Sequence, residues 1–185
     1  MPNAITVKIL KEHEQVLKTT QQLRGLFKEQ DGPEKFIKMH MHLETLSKEL
    51  PSHFQYEEEM ITHLLRCYLE IIGGRTEASS ESGEQNDETE DLKAELIDFF
   101  AKNAFAVLQI IKEHGRLLSS AEYLMKLYAT EPKDETKMYA IKRKLTLEFV
   151  GSLEDHAAKE LKVFVPLIEK NETVEERMLT FYLER

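Results

Sequence analysis

Apolar positions along this chain recur at intervals of three and four, in four long blocks. The most regular block runs Phe36, Met39, Leu43, Leu46, Leu50, His53, Glu57, Met60 and Leu64 without a slip. That period keeps one stripe of a helix facing one way, as packing between near-parallel helices requires. The first block, about Ile5 to Gln30, has Ile9, His13, Val16 or Leu17, Thr20, Leu23 and Phe27 on its stripe. A third, about Asp91 to Thr130, turns Leu92, Leu96, Phe99, Asn103, Val107, Ile110, His114, Leu117, Ala121, Leu124 and Tyr128 inward. The fourth, about Lys133 to Lys170, carries Leu145, Phe149, Leu153, His156, Glu160, Val163 and Leu167.

The breaks between blocks have their own chemistry. Asp31-Gly32-Pro33 stops one helix and starts the next, with Pro33 suited to a first helical position. Pro51 lies inside the second block and is expected to kink it a turn before His53. Gly73-Gly74 closes the first half, and the polar stretch 73–90 is expected to be a flexible linker. Short links inside each half and one long link between them predict an all-α protein, an up-down-up-down four-helix bundle built of two hairpins. A helical solenoid needs more repeats than two. The bundle is expected to span residues 1–170, followed by a short C-terminal amphipathic helix, 171–185. Val174, Met178 and Phe181 of that tail are suited to close the bundle end or to make a dimer contact, so the chain is expected to be a monomer or a homodimer.

Composition agrees with an all-helical protein: 185 residues, with few Gly and Pro and no Trp. The net charge of −9 is local, because residues 73–91 hold seven acids against one base. The rest of the chain is near balance and has no basic stripe to neutralise phosphates, which excludes nucleic acid as an expected partner. No apolar run approaches a membrane span, and the first residues lack a signal-peptide core. Cys67 is the only cysteine, so the chain cannot form an internal disulfide, and a reduced cytoplasmic setting is expected.

Candidate chemistry comes from a repeat. Ile9-Leu10-Lys11-Glu12-His13 returns as Ile110-Ile111-Lys112-Glu113-His114, and each copy precedes a His-x-x-x-Glu pair, His53/Glu57 and His156/Glu160. His53 follows His13 by 40 residues and His156 follows His114 by 42, the signature of a duplicated helix pair. All six residues sit on core stripes. A step of four residues returns both side chains to one face. A buried carboxylate costs several kcal/mol unless it is paired or binds a metal, and no Lys or Arg lies near either glutamate on these stripes. Imidazole and carboxylate together suit iron, manganese or zinc, while the lack of sulfur argues against a structural zinc or an iron–sulfur site. One glutamate from each half is placed to bridge two ions, with two histidines on each and positions left for a small ligand. The ferritin-like di-metal bundles use Glu-x-x-His, and here no histidine has a glutamate three residues before it.

The pattern His, His-x-x-x-Glu, His, His-x-x-x-Glu on four helices resembles the hemerythrin-like family, also called the HHE cation-binding domain, over about residues 4–170. The resemblance implies a non-haem di-iron centre held by His13, His53, Glu57, His114, His156 and Glu160. It also implies dioxygen or nitric oxide as the small ligand, or handling of iron under oxidative or nitrosative stress. Oxygen-carrying hemerythrins have a further histidine one turn before the third-helix ligand, where this chain has Ile110. They also have an aspartate five residues after the fourth-helix histidine, where this chain has Glu160 at four. These departures turn the expectation from oxygen transport towards sensing, or towards a di-iron oxidase, peroxidase or nitric-oxide-reducing enzyme. Among the remaining histidines, His63 is expected on the flank of the stripe, and His40 and His42 on the surface. Glu58 and Glu59 are expected on a solvated face, with Glu58 within reach of the site edge, and Tyr56 and Tyr123 as packing residues with wet hydroxyls.

Overall fold

A computed structural model describes residues 4–72, 87–131 and 134–164, with the side chains of 4–7, 67, 70–72, 87–93 and 95 left out. The described residues form four helices and no strand: α1 (Ala4–Leu26), α2 (Pro33–Ile72), α3 (Asp87–Ala129) and α4 (Glu135–Val163). They pack in cyclic order, α1 on α2, α2 on α3, α3 on α4 and α4 on α1. Most of the linker, the C-terminal tail and the side chain of Cys67 lie outside the described residues.

Element boundaries differ from the sequence expectation in instructive places. α1 stops at Leu26 rather than near Gln30, because the chain tightens there. Lys28 N donates to Gly25 O at 3.1 Å and Glu29 N to Leu26 O at 3.0 Å, both bonds spanning three residues. Residues 87–90, expected in the linker, are helical. α2 begins at Pro33 as expected and runs without interruption through Pro51. α4 begins after Asp134, whose carboxylate caps it by accepting from Lys137 N at 3.1 Å.

The core falls into two apolar clusters with a polar layer between them. One holds Ile9, Met60, Leu64, Leu96, Phe99, Val107, Ile110 and Phe164. The other holds Val16, Leu23, Met39, Leu43, Leu46, Leu50, Leu117, Leu124, Phe149 and Leu153. On α1 the step from one cluster to the other, Ile9 to Val16, passes through His13; on α3 the step from Ile110 to Leu117 passes through His114. The stripe of α4 is corrected near its start. Lys142 and Thr146 are buried and Leu145 is only half-buried, because Tyr128 Oη meets Thr146 Oγ1 at 3.0 Å and draws that face inward. Lys142 Nζ donates to Tyr128 O at 3.5 Å. His40, expected on the surface, is half-buried with its ring stacked 5.7 Å from that of Tyr128, and His42 is also half-buried.

Candidate metal centre

The polar layer is made of the six residues that the repeat singled out, brought together from four helices. α1 supplies His13, α2 His53 and Glu57, α3 His114, and α4 His156 and Glu160, all buried. His13 Nε2 lies 2.9 Å from Glu160 Oε2 and 3.4 Å from Glu57 Oε1, and His53 Nε2 lies 3.1 Å from Glu57 Oε1. Across the layer, His114 Nε2 lies 3.1 Å from Glu160 Oε1 and 3.5 Å from Glu57 Oε2, and His156 Nε2 lies 2.9 Å from Glu160 Oε1. Each carboxylate therefore turns one oxygen to each pair of histidines. The result is two overlapping groups, His13/His53/Glu57/Glu160 and Glu57/His114/His156/Glu160, whose ligand atoms lie within 4.8 Å of one another.

Hydrogen bonding alone does not account for this cluster. Glu57 Oε2 and His156 Nε2 are buried and make no hydrogen bond, although a charged partner lies 3.5 Å and 2.9 Å away. Both residues belong to one group whose ligand atoms lie within 4.8 Å of one another. Among the described residues, every ion pair of Glu57 and Glu160 is with a histidine, and no Lys or Arg takes part. Two buried carboxylates without a lysine or arginine are stable only when a cation or protons come from elsewhere. The donor set and its geometry thus fit a metal ion in each group, in the class of iron, manganese or zinc.

Without a metal, protons take that role. Burial drives the Glu57 carboxyl well above its ordinary range, and the facing Glu160 pushes it further; His114 opposes both. Burial acts the same way on Glu160, but its contacts with His114, His13 and His156 override it and hold this carboxyl below its ordinary range. For His114 burial opposes the charged form, yet Glu160, Glu57 and Glu58 prevail and push its pKa up to about 10. His53 is lowered, burial outweighing its bond to Glu12.

A second ring of carboxylates stands behind the histidines. Glu12 Oε2 lies 2.9 Å from His53 Nδ1, Glu58 Oε1 2.9 Å from His114 Nδ1, and Glu113 Oε2 3.1 Å from His156 Nδ1. Such acceptors fix a ligand's tautomer and ring orientation. Lys159 Nζ in turn binds Glu113, and with His156 it holds that carboxyl below its ordinary value against partial burial. His13 is the exception: its buried Nδ1 has no hydrogen-bond partner among the described residues.

Sequence reasoning left Glu12 and Glu113 without a role, although both copies of the repeat place a glutamate directly before the histidine. It also missed Phe54, which is buried and stacks on His114 at 4.3 Å. Of the other singled-out residues, Glu58 reaches the site edge as expected, through His114. Tyr56 lies under Lys8 Nζ at 3.4 Å, in a cleft of about 580 Å³ whose walls also include Glu12 and His53. Tyr123 lines a separate cleft of about 380 Å³ with none of the six. His63 is half-buried on the flank of α2, and Glu59 is half-buried where a solvated position was expected. No described helix is long and apolar enough to cross a membrane. The chain matches no protein-family model, no curated protein and no solved structure.

Proposed function

We propose that this chain is a hemerythrin-like, non-haem di-iron protein that binds or senses dioxygen or nitric oxide, or handles iron under oxidative or nitrosative stress. One observation carries the reading: two groups of buried ligands share both glutamates, so that Glu57 and Glu160 would each help to hold an ion in either group. Such a centre, when loaded with iron, supplies binding of a diatomic molecule and one-electron chemistry. The chain's own residues would hold it between two apolar clusters. The up-down-up-down connectivity belongs to the same reading. It is supported by the pairing of His13 with Glu160 and Arg24 with Glu154, and of Gln15 with Glu49.

Anaerobic reconstitution with ferrous iron, followed by metal analysis and absorption spectra with and without azide, tests this directly. About two irons per chain are expected, and His53→Ala or Glu160→Ala is expected to lose most of them. A reconstituted protein that retains no transition metal would refute the proposal.

A catalytic reading, as a di-iron oxidase, peroxidase or nitric-oxide-reducing enzyme, draws support from Ile110. This residue is completely buried in an apolar cluster one turn before His114, so α3 offers a single histidine to the site. Stopped-flow mixing of the reduced protein with dioxygen separates the two. A stable, reversible adduct supports a sensor, and rapid oxidation with turnover supports an enzyme.

A further inference from the structure

The halves of the site match in their ligands and differ in what stands behind them. The repeat pairs His13 with His114, His53 with His156 and Glu57 with Glu160. By the same register it pairs Glu58 with Leu161, Phe54 with Ala157, and Tyr56 with Lys159. Building on the di-metal reading, the geometry points to two unequal metal positions. The position held by His114 and His156 is tight, and the one held by His13 and His53 is weaker and exchangeable.

Three independent differences act in the same direction. The first is hydrogen bonding. A histidine that ligates through Nε2 carries its proton on Nδ1, and loss of the acceptor for that proton typically weakens metal binding about 10–100-fold. Glu58 and Glu113 serve both histidines of one position, whereas Glu12 serves only His53 of the other. Leu161, where Glu58 would have its counterpart, has nothing to offer the bare Nδ1 of His13.

The second difference is packing. Phe54 lies flat on His114, with ring planes 7° apart, and meets His156 edge-on at 5.3 Å. It also touches its neighbour His53 at 5.6 Å, but tilted, and its counterpart Ala157 has only a methyl group with which to wall the other position. Rings held by close packing need less reorganisation to ligate.

The third difference is access. The cleft of about 580 Å³ between α1 and α2 reaches Glu12 and His53. His53 is 7% exposed, against 2% or less for the other five ligands. On the opposite side Lys159 is drawn onto Glu113 at the corresponding place.

The full-length, metal-free protein, labelled with 15N in its histidine rings, provides the test. Zinc(II) alone is titrated in while imidazole NMR follows each histidine. The first equivalent is expected to move His114 and His156, and the second to move His13 and His53 with at least tenfold weaker affinity. Leu161→Glu, which gives His13 an acceptor, is expected to narrow that gap by about tenfold. Glu58→Leu, which strips His114 of its acceptor, is expected to close the gap or reverse the order, and it reads the same quantity should Leu161→Glu fail to fold. Movement of all four histidines in parallel, or of His13 and His53 first, would overturn the inference. Zinc that moves none of the four overturns the di-metal reading and the inference with it.

Discussion

Loading the metal centre should expel protons, and their number follows from the buried charges. In the metal-free protein His114, with a pKa pushed up to about 10, is unprotonated in only one molecule in roughly 300 at pH 7.5. Glu57 is held well above its ordinary range by burial and the facing Glu160, so it keeps its proton to higher pH than a free carboxyl does. Metal ions require neutral imidazole and ionised carboxylate, so protons on these groups must leave as the centre fills. The expected release is between one and two protons per loaded chain, and the overall binding constant for the two ions should rise at least about tenfold per pH unit near neutrality. Binding therefore strengthens as pH rises, and the contribution of His114 ends above about pH 10, where its proton is already lost. Isothermal titration with zinc(II) at one pH, in buffers of differing ionisation enthalpy, counts the protons directly. Release below about half a proton, or an affinity that does not change with pH, would refute the claim that protons stand in for the missing cations.

Three further outcomes are expected. Chelator treatment of the loaded protein should lower Tm by about 5–11 °C for each position filled at a hundred times its Kd, as scanning calorimetry would show; an unchanged Tm would favour a metal-independent helical module. The metal-free protein should lose stability from pH 6.5 to 10. The raised pKa of His114 stabilises fully below 6.5 and is lost as pH rises through about 10, and the raised Glu57 acts in the same direction; a Tm that is flat over this window would contradict the assignment. Tyr128→Phe should cost about 1–2 kcal/mol by leaving Thr146 unpaired, with metal content unchanged; a loss of metal would show that the far cluster is coupled to the site.

The six ligands were legible in the sequence because each falls on the buried stripe of its own helix, where a charged residue stands out against Leu and Met. A period of three and four fixes which face is buried, and so places His53 and Glu57 inside without knowledge of the partner helices. The outer carboxylates were not legible in that way. Glu12, Glu58 and Glu113 reach histidines 41, 56 and 43 residues away on neighbouring helices, so their roles depend on how adjacent helices are rotated against each other. The same holds for the buried Lys142, whose position is set by Tyr128 on α3. Phe54 sits one residue off the strict stripe of α2, a place that becomes interior only when a fourth helix closes the bundle.

The outer carboxylates also run in one direction around the bundle. α1 braces a histidine on α2 through Glu12, α2 braces α3 through Glu58, and α3 braces α4 through Glu113. α4 returns no such brace to α1, so the ring is open at one seam, spanned at this level by the contact of His13 with Glu160. In mechanical terms α1 is, at the level of the site, a stave braced from one side, and a metal ion held by His13 and Glu160 would be the hoop that completes the barrel there. Amide hydrogens of α1 should therefore exchange first in the metal-free protein, and gain the most protection when the weaker position fills.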